Sequence, residues 1–167
     1  MEIRKADTND IGLIQQLAHT IWPNAYGNLL SPGQLTYMLE LIYSKTSLHN
    51  QIEKLQHKFI LVHENEALVG FASYSPKEPG DDSIYRLHKL YVLPDQQGKG
   101  TGRFLLNYII EDIKQANAKI LELNVKRDNP ALHFYNKLGF TITEEVNIDI
   151  GQGYFMRDYI MIKRLDL

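Results

Sequence analysis

Apolar residues recur along the chain with two different periods, and the change from one to the other marks out its elements. Ile14, Leu17, Ala18 and Ile21 stand at helical spacing behind Asp10, a residue type that caps helix N-termini. Trp22-Pro23 is expected to end that helix. Leu35, Met38, Leu39 and Ile42 fall at i, i+3, i+4 and i+7 and predict a second helix over residues 34–44. Leu48, Ile52 and Leu55 predict a third, with Ser47 as its cap. Residues 3–6, ahead of these helices, read as a short strand. Short apolar runs then follow at residues 59–63 and 67–74, separated by Glu64-Asn65-Glu66, which predicts a hairpin. Residues 75–83 are polar and turn-prone and read as a loop, and residues 85–93 as another strand.

The second half alternates. Phe104, Leu105, Tyr108, Ile109, Asp112, Ile113 and Ala116 trace one face of a helix over residues 101–116. Residues 120–125 predict a strand, and residues 130–138 a helix that Gly139 can close. Residues 141–150 and 154–163 predict a final hairpin across Gly151-Gln152-Gly153. The order is strand, helices, three strands, helix, strand, helix, two strands. That is a mixed α/β domain with one central sheet.

The segment at residues 90–103, LYVLPDQQGKGTGR, carries the chemistry. A strand ends near Pro94, glycines alternate at Gly98, Gly100 and Gly102, and a helix begins. Glycine lets a backbone approach a ligand, and the first helical turn offers unpaired N–H groups and a positive dipole end. Together they suit a phosphate, and Lys99 and Arg103 add charge there. Two nucleotide templates fail. A Walker A loop needs glycine where Leu93 stands, and a dinucleotide fingerprint needs a small residue where Arg103 or Leu105 stands. An ordinary glycine-rich strand-to-helix turn is the plainer alternative.

Gln97-x-x-Gly100-x-Gly102 resembles the acetyl-CoA signature of the GNAT superfamily of N-acetyltransferases. Ala131-x-x-Phe134-Tyr135-x-Lys137-x-Gly139-Phe140 is similar to that family's second CoA-binding block. The resemblance covers most of the chain and is strongest over residues 85–140. It implies one GNAT-like α/β domain over residues 1–167, with a mixed, mostly antiparallel sheet of about seven strands flanked by helices. It implies acetyl-CoA as acyl-donor cosubstrate, held by the backbone of Leu90, Tyr91 and Val92 and by Gln97, Gly98, Lys99, Gly100, Thr101, Gly102 and Arg103, with Lys137 further on. Family members often carry Asn seven residues before the tyrosine. Here Asp128 stands there with Asn129 next to it, and only the amide can donate, so either Asn129 takes the role or the contact is made differently.

Tyr135 matches the family's tyrosine and is the implied general acid, since a tyrosine hydroxyl is protonated at neutral pH. A backbone N–H near Val92 is the implied oxyanion donor. His88 stands where a β-strand Glu often serves as base, and acts directly or through water unless it is structural. Trp22, Tyr26, Tyr37, Glu40, Tyr154 and Asp158 are acceptor-site candidates, because aromatics with a few carboxylates suit a cationic amine. Trp-Pro-x-x-Tyr followed by a YMLELIYS helix looks like the bacterial polyamine and spermidine acetyltransferase branch.

Composition narrows this further. The chain has 167 residues, 44% of them hydrophobic and 23% charged, which is the balance of a folded domain. It has no cysteine, which removes disulfide scaffolds, thiolate metal sites and a cysteinyl acyl-enzyme. The six histidines are not clustered as metal ligands, so no metal is expected. The net charge of −2 does not suit a nucleic-acid partner. No signal-peptide core or membrane span is read, and a cytoplasmic location, as monomer or homodimer, is expected. The expected function is direct transfer of acetyl to a primary amine of a small molecule, with a polyamine as one candidate. Acetylation of a protein or peptide amine, or a non-catalytic acyl-CoA-binding module, are the alternatives.

Overall fold

One turn of 3-10 helix at Thr8–Asp10 joins strand β1 (Glu2–Lys5) to helix α1 (Ile11–Tyr26) in the computed structural model, which describes residues 1–166. Asp10 precedes α1 without capping it through its side chain. Its carboxylate instead accepts from the Asp7 N–H at 2.9 Å and from both Arg4 nitrogens at 3.0 and 3.1 Å. Pro23 lies inside α1 rather than ending it. The ring removes one N–H from the ladder, but the next turn still closes, with Gly27 N–H donating to Pro23 O at 2.9 Å. Burial of Trp22 and Tyr26 rewards that extra turn.

Helix α2 (Pro32–Tyr43) is capped by Ser31, with Pro32 in its first turn. Helix α3 (Lys45–Glu53) is capped by Ser44 and not by Ser47, whose N–H is the donor to Ser44 Oγ at 3.1 Å. Leu55 falls past the end of α3 and is exposed. The expected helical stripe therefore stops one turn early.

Strands β2 (Lys58–Glu64) and β3 (Ala67–Glu78) form the expected hairpin. Asn65 and Glu66 take positive φ, as a two-residue turn of matching twist requires. The polar stretch 75–83 is not a loop. β3 runs on to Glu78 and strand β4 (Asp81–Val92) begins after Pro79-Gly80. Polar side chains on a long hairpin read like a loop because both strand ends are solvated. Helix α4 (Thr101–Gln115), strand β5 (Ile120–Lys126), helix α5 (Ala131–Lys137) and the hairpin of β6 (Thr141–Gly151) with β7 (Tyr154–Arg164) complete the chain. On α4, Leu106 and not Phe104 joins Leu105, Ile109 and Ile113 in the core.

The seven strands form one mixed sheet in the order β1-β2-β3-β4-β5-β7-β6. β4 and β5 pair in parallel over Ile84–Leu87, as the α4 crossover requires, whereas β1–β2, β2–β3, β5–β7 and β7–β6 are antiparallel. This is the α/β class expected, with strands and helices following one another along the chain as the sequence pattern predicts. Contacts divide the chain into two compact units, Met1–Ser75 with Lys89–Ile109, and Pro76–His88 with Ile110 onward. The first is cored by Ile14, Ile21, Leu48, Leu61, Phe71 and Leu105, and the second by Leu87, Leu121, Leu123, Phe140 and Met161. Among the described residues, no helix is long and apolar enough to cross a membrane.

Candidate functional site

The glycine-rich turn lies in the first unit. After β4 comes a 3-10 turn at Pro94–Gln96, then Gln97 in extended conformation. Gly98 and Gly100 take φ of +79° and +82°, in the left-handed region closed to most side chains, and a Cβ at either would meet nothing within 4 Å. Glycine is needed here for the backbone path, and the turn's own surroundings are open. The first α4 bond runs from Phe104 N–H to Gly100 O at 2.9 Å. The N–H groups of Thr101, Gly102 and Arg103 precede it and have no carbonyl one turn back within α4. Lys99 and Arg103 are exposed beside them, and the buried Thr101 hydroxyl has no hydrogen-bond partner among the described residues. Such a turn fits a pyrophosphate: open, donor-rich and cationic.

Leu90, Tyr91 and Val92 are half-buried on β4, outside the register that pairs β4 with β5. Gly70 on β3 lets this segment approach, since a Cβ there would stand 2.7 Å from Tyr91 O. Leu93 N–H is fixed on Val69 O at 2.8 Å.

Of the acceptor candidates in this unit, the fold brings Trp22 and Tyr26 together. Trp22 and Tyr26, one helical turn apart, have ring centroids 4.5 Å apart. Tyr91 lies 5.8 Å from Trp22, and its hydroxyl is 2.9 Å from that of Tyr26. Trp22 Nε1 donates to the Tyr43 hydroxyl at 3.2 Å. Tyr37 is half-buried on α2 and Glu40 is exposed. Lys89, only 7% exposed, lies against the Tyr43 ring. Its Nζ donates to Gln51 Oε1 at 2.6 Å and stands 5.3 Å from the centre of Phe59 and 5.8 Å from that of Tyr43. Burial pushes the Lys89 ammonium down to about 7. Burial, then the Lys89 charge, push His57 down to about 4. Sequence reading missed Tyr43, Gln51 and Lys89. A lysine between apolar strand positions was the available signal.

The second unit holds Tyr135, buried on α5 and edge-on to Phe134 and Phe140 at 5.2 and 5.5 Å. Gly139, with φ of +92°, closes that helix as expected. Asn129 Oδ1 accepts from the Ala131 N–H at 2.9 Å and so starts α5, while Asp128 binds the Lys126 ammonium. Lys137 is exposed, and His88 and Tyr154 are half-buried on β4 and β7.

Asp158 on β7 is buried at the end of a polar chain. Glu122, 5% exposed, receives Lys77 at 2.8 Å and Arg86 at 2.7 Å. Arg86 also donates to Asn124 Oδ1, and Asn124 Nδ2 donates to Asp158 Oδ2 at 3.3 Å. Burial raises the Asp158 carboxyl, against the pull of Asn124 and nearby cations. Asn124 stands at the start of the segment that carries the second motif. Its partners are 38 and 34 residues away, which is why spacing did not reveal them. Among the described residues, no group of three or more His, Cys, Asp or Glu is placed to hold a metal ion.

Known proteins match this arrangement. A solved structure of the PaiA N-acetyltransferase from Thermoplasma acidophilum, in complex with coenzyme A, superimposes with a TM-score of 0.81 at 26% identity, covering 98% of each chain. The spermidine N(1)-acetyltransferase of Thermoplasma acidophilum is 26% identical over 149 residues, 86% of this chain and 90% of that protein. The L-amino acid N-acyltransferase MnaT of Escherichia coli is 33% identical over 85 residues. The chain spans about half the length of that relative, 49%, and 55% of a methionine sulfoximine acetyltransferase from Salmonella typhimurium. The profile of the Acetyltransferase (GNAT) family matches residues 16–140, through both motifs, and the chain belongs to that family.

Proposed function

We propose that this protein transfers the acetyl group of acetyl-CoA directly to a primary amine of a small molecule, a polyamine being the leading candidate. The turn at residues 97–103 carries the proposal. Its left-handed glycines, the leading N–H groups of α4 and the exposed Lys99 and Arg103 offer what a CoA pyrophosphate needs. The backbone of Leu90, Tyr91 and Val92, outside the β4–β5 register, is assigned to the pantetheine arm, with an N–H near Val92 as oxyanion donor. Acetyl-CoA supplies a thioester carbonyl and a thiol leaving group. Tyr135 is assigned to give the departing sulfur its proton. Asn129 is preferred over Asp128 for the cofactor, since the Asp128 carboxylate is engaged by Lys126 and cannot donate. Lys137 is the further cofactor contact. Trp22, Tyr26, Tyr37, Glu40, Tyr154 and Asp158 are assigned to the acceptor, whose reacting nitrogen must also lose a proton. His88 is the sequence-based candidate to take it. A cytoplasmic monomer or homodimer is part of the same proposal.

The relatives support an amine acceptor by their names, which cover spermidine, amino acids and the alanine of a ribosomal protein. A panel of spermidine, L-methionine sulfone and an alanyl peptide with acetyl-CoA, read as released CoA by a thiol reagent, tests the proposal. The protein adds no thiol of its own to that assay. Stimulation by spermidine is expected. CoA binding without release by any amine would instead identify a binding module. Tyr135→Phe is expected to lower turnover about 10²–10⁴-fold with acetyl-CoA affinity nearly unchanged, and unaltered turnover would remove Tyr135 as the acid.

A further inference from the structure

Asp158 differs from every other charged group described above in the second unit. Glu122, the other carboxylate of the polar chain, faces two cations. Asp158 accepts one hydrogen bond, on Oδ2, and its Oδ1 is buried with no hydrogen-bond partner among the described residues. The whole residue is 6% exposed. A buried carboxylate oxygen without a donor is expensive, and native structures keep few of them.

The chain behind it explains how Asp158 is aimed. Arginine only donates, so Arg86 fixes the oxygen of the Asn124 amide toward itself. The nitrogen must then face Asp158, where it binds Oδ2. Arg86 is itself held by Glu122, and Glu122 by Lys77. Oδ1 is left as the free end of a line whose other members are engaged. Cations that might close it are directed elsewhere. Lys126, directly opposite Asp158 on β5, binds Asp128. The terminal nitrogens of Arg127 bind the Val146 carbonyl, Asn147 and Glu145, while its Nε is buried with no hydrogen-bond partner among the described residues. On β6 the opposite residue is Val146, which carries no charge.

We infer that Asp158, rather than His88, binds the acceptor's ammonium through Oδ1 and takes its proton, with Asn124 and Arg86 as positioning residues and a cationic primary amine as the acceptor class. This rests on the acetyltransferase reading above. The bookkeeping of protons is simple. The ammonium R–NH3+ gives one proton to the carboxylate and becomes R–NH2, whose lone pair forms the N–C bond to the thioester carbonyl as the C–S bond breaks. The second proton leaves nitrogen as the amide forms and balances the one taken by the CoA thiolate. Asp158 returns its proton to solvent. A carboxyl raised by burial is better matched to this task than an exposed one.

The test measures kcat/KM against pH for the amine of the panel that the wild-type protein acetylates, in wild type, Asp158→Asn, Asp158→Glu and Asn124→Ala. Asp158→Asn should lose about 10²–10⁴-fold at pH 7, and the loss should shrink as pH rises toward the amine's own pKa, where free amine is abundant. Asp158→Glu should restore part of the rate. Asn124→Ala removes the bond that favours the carboxylate, so its acid limb should move to higher pH. This readout stands even if Asp158→Asn fails to fold. A rate for Asp158→Asn within threefold of wild type, an equal loss at every pH, or an unmoved limb in Asn124→Ala overturns the inference while amine acetylation stands. A wild-type protein that acetylates no amine of the panel overturns both.

Discussion

Lys89 and Asp158 are both buried charges, and the two units accommodate them by opposite means. In the first unit, Lys89 sits among rings, with one amide oxygen and, among the described residues, no carboxylate bonded to it. Its charge is softened by polarisable surfaces, and burial pushes its ammonium down to about 7. In the second unit, Asp158 ends a chain of alternating charges that runs through Arg86, Glu122 and Lys77. There the fold holds its side chains by directed bonds and leaves one acceptor atom over. An aromatic cage tolerates a change of protonation. A bonded chain fixes geometry and is damaged when one link goes. That contrast suits a wall in the first case and a reacting group in the second.

The contrast is broken most severely at Arg86. Arg86→Met leaves Glu122 with Lys77 alone and Asn124 Oδ1 without its donor. Removing one partner of a buried ion pair costs about 3–5 kcal/mol when the other charge is left uncompensated, and the Lys77 that still faces Glu122 holds the loss to the lower end of that range. Thermal unfolding should therefore fall by about 10 °C for a domain of this size. A loss near zero would mean the chain is not cooperative.

Lys89→Met should act in the other direction. The unfolded chain holds the Lys89 proton up to the ordinary 10.5, and the folded chain releases it near 7. Protons therefore favour the unfolded state through that window, and stability due to this group rises with pH between about 7 and 10. Replacing the ammonium by an apolar side chain should stabilise the protein by about 1–2 kcal/mol at pH 7, the gain being reduced by the unpaired Gln51 oxygen. The advantage of the variant over wild type should vanish near pH 10. Chemical denaturation at several pH values measures it, and a constant difference would show that Lys89 keeps its proton throughout.

The smallest effect belongs to the aromatic cluster around Trp22. Tyr26→Phe deletes the hydroxyl pair with Tyr91 and leaves the ring contacts in place. About 0.5–1.5 kcal/mol should be lost, with little change in the near-ultraviolet signal of Trp22. A larger loss would make this hydrogen bond part of the unit's core, not of its surface.

Much of the fold was written in local pattern. Hairpin turns, the α4 stripe and the closing Gly139 are short-range features that obey strand and helix periods. The misreadings have local causes too. Pro23 looked like a stop because the ring's missing N–H is visible in sequence, whereas the burial of Tyr26 is not. Residues 75–83 looked like a loop because a solvated hairpin and a loop share their composition. Leu55 looked like a third helical contact after Leu48 and Ile52, but α3 ends at Glu53.

The sequence alone determined the order of elements, the glycine turn and the family, since each depends on residues a few positions apart. Tertiary structure decided which charges were buried and what they met. Lys89 finds Gln51 38 residues away, Arg86 finds Glu122 36 away, and Asn124 finds Asp158 34 away. Such partners are set by strand register and helix packing, and no spacing rule encodes them. The protonation of a buried group depends on those neighbours and on the loss of water, so the chemistry of Lys89 and Asp158 exists only in the folded chain.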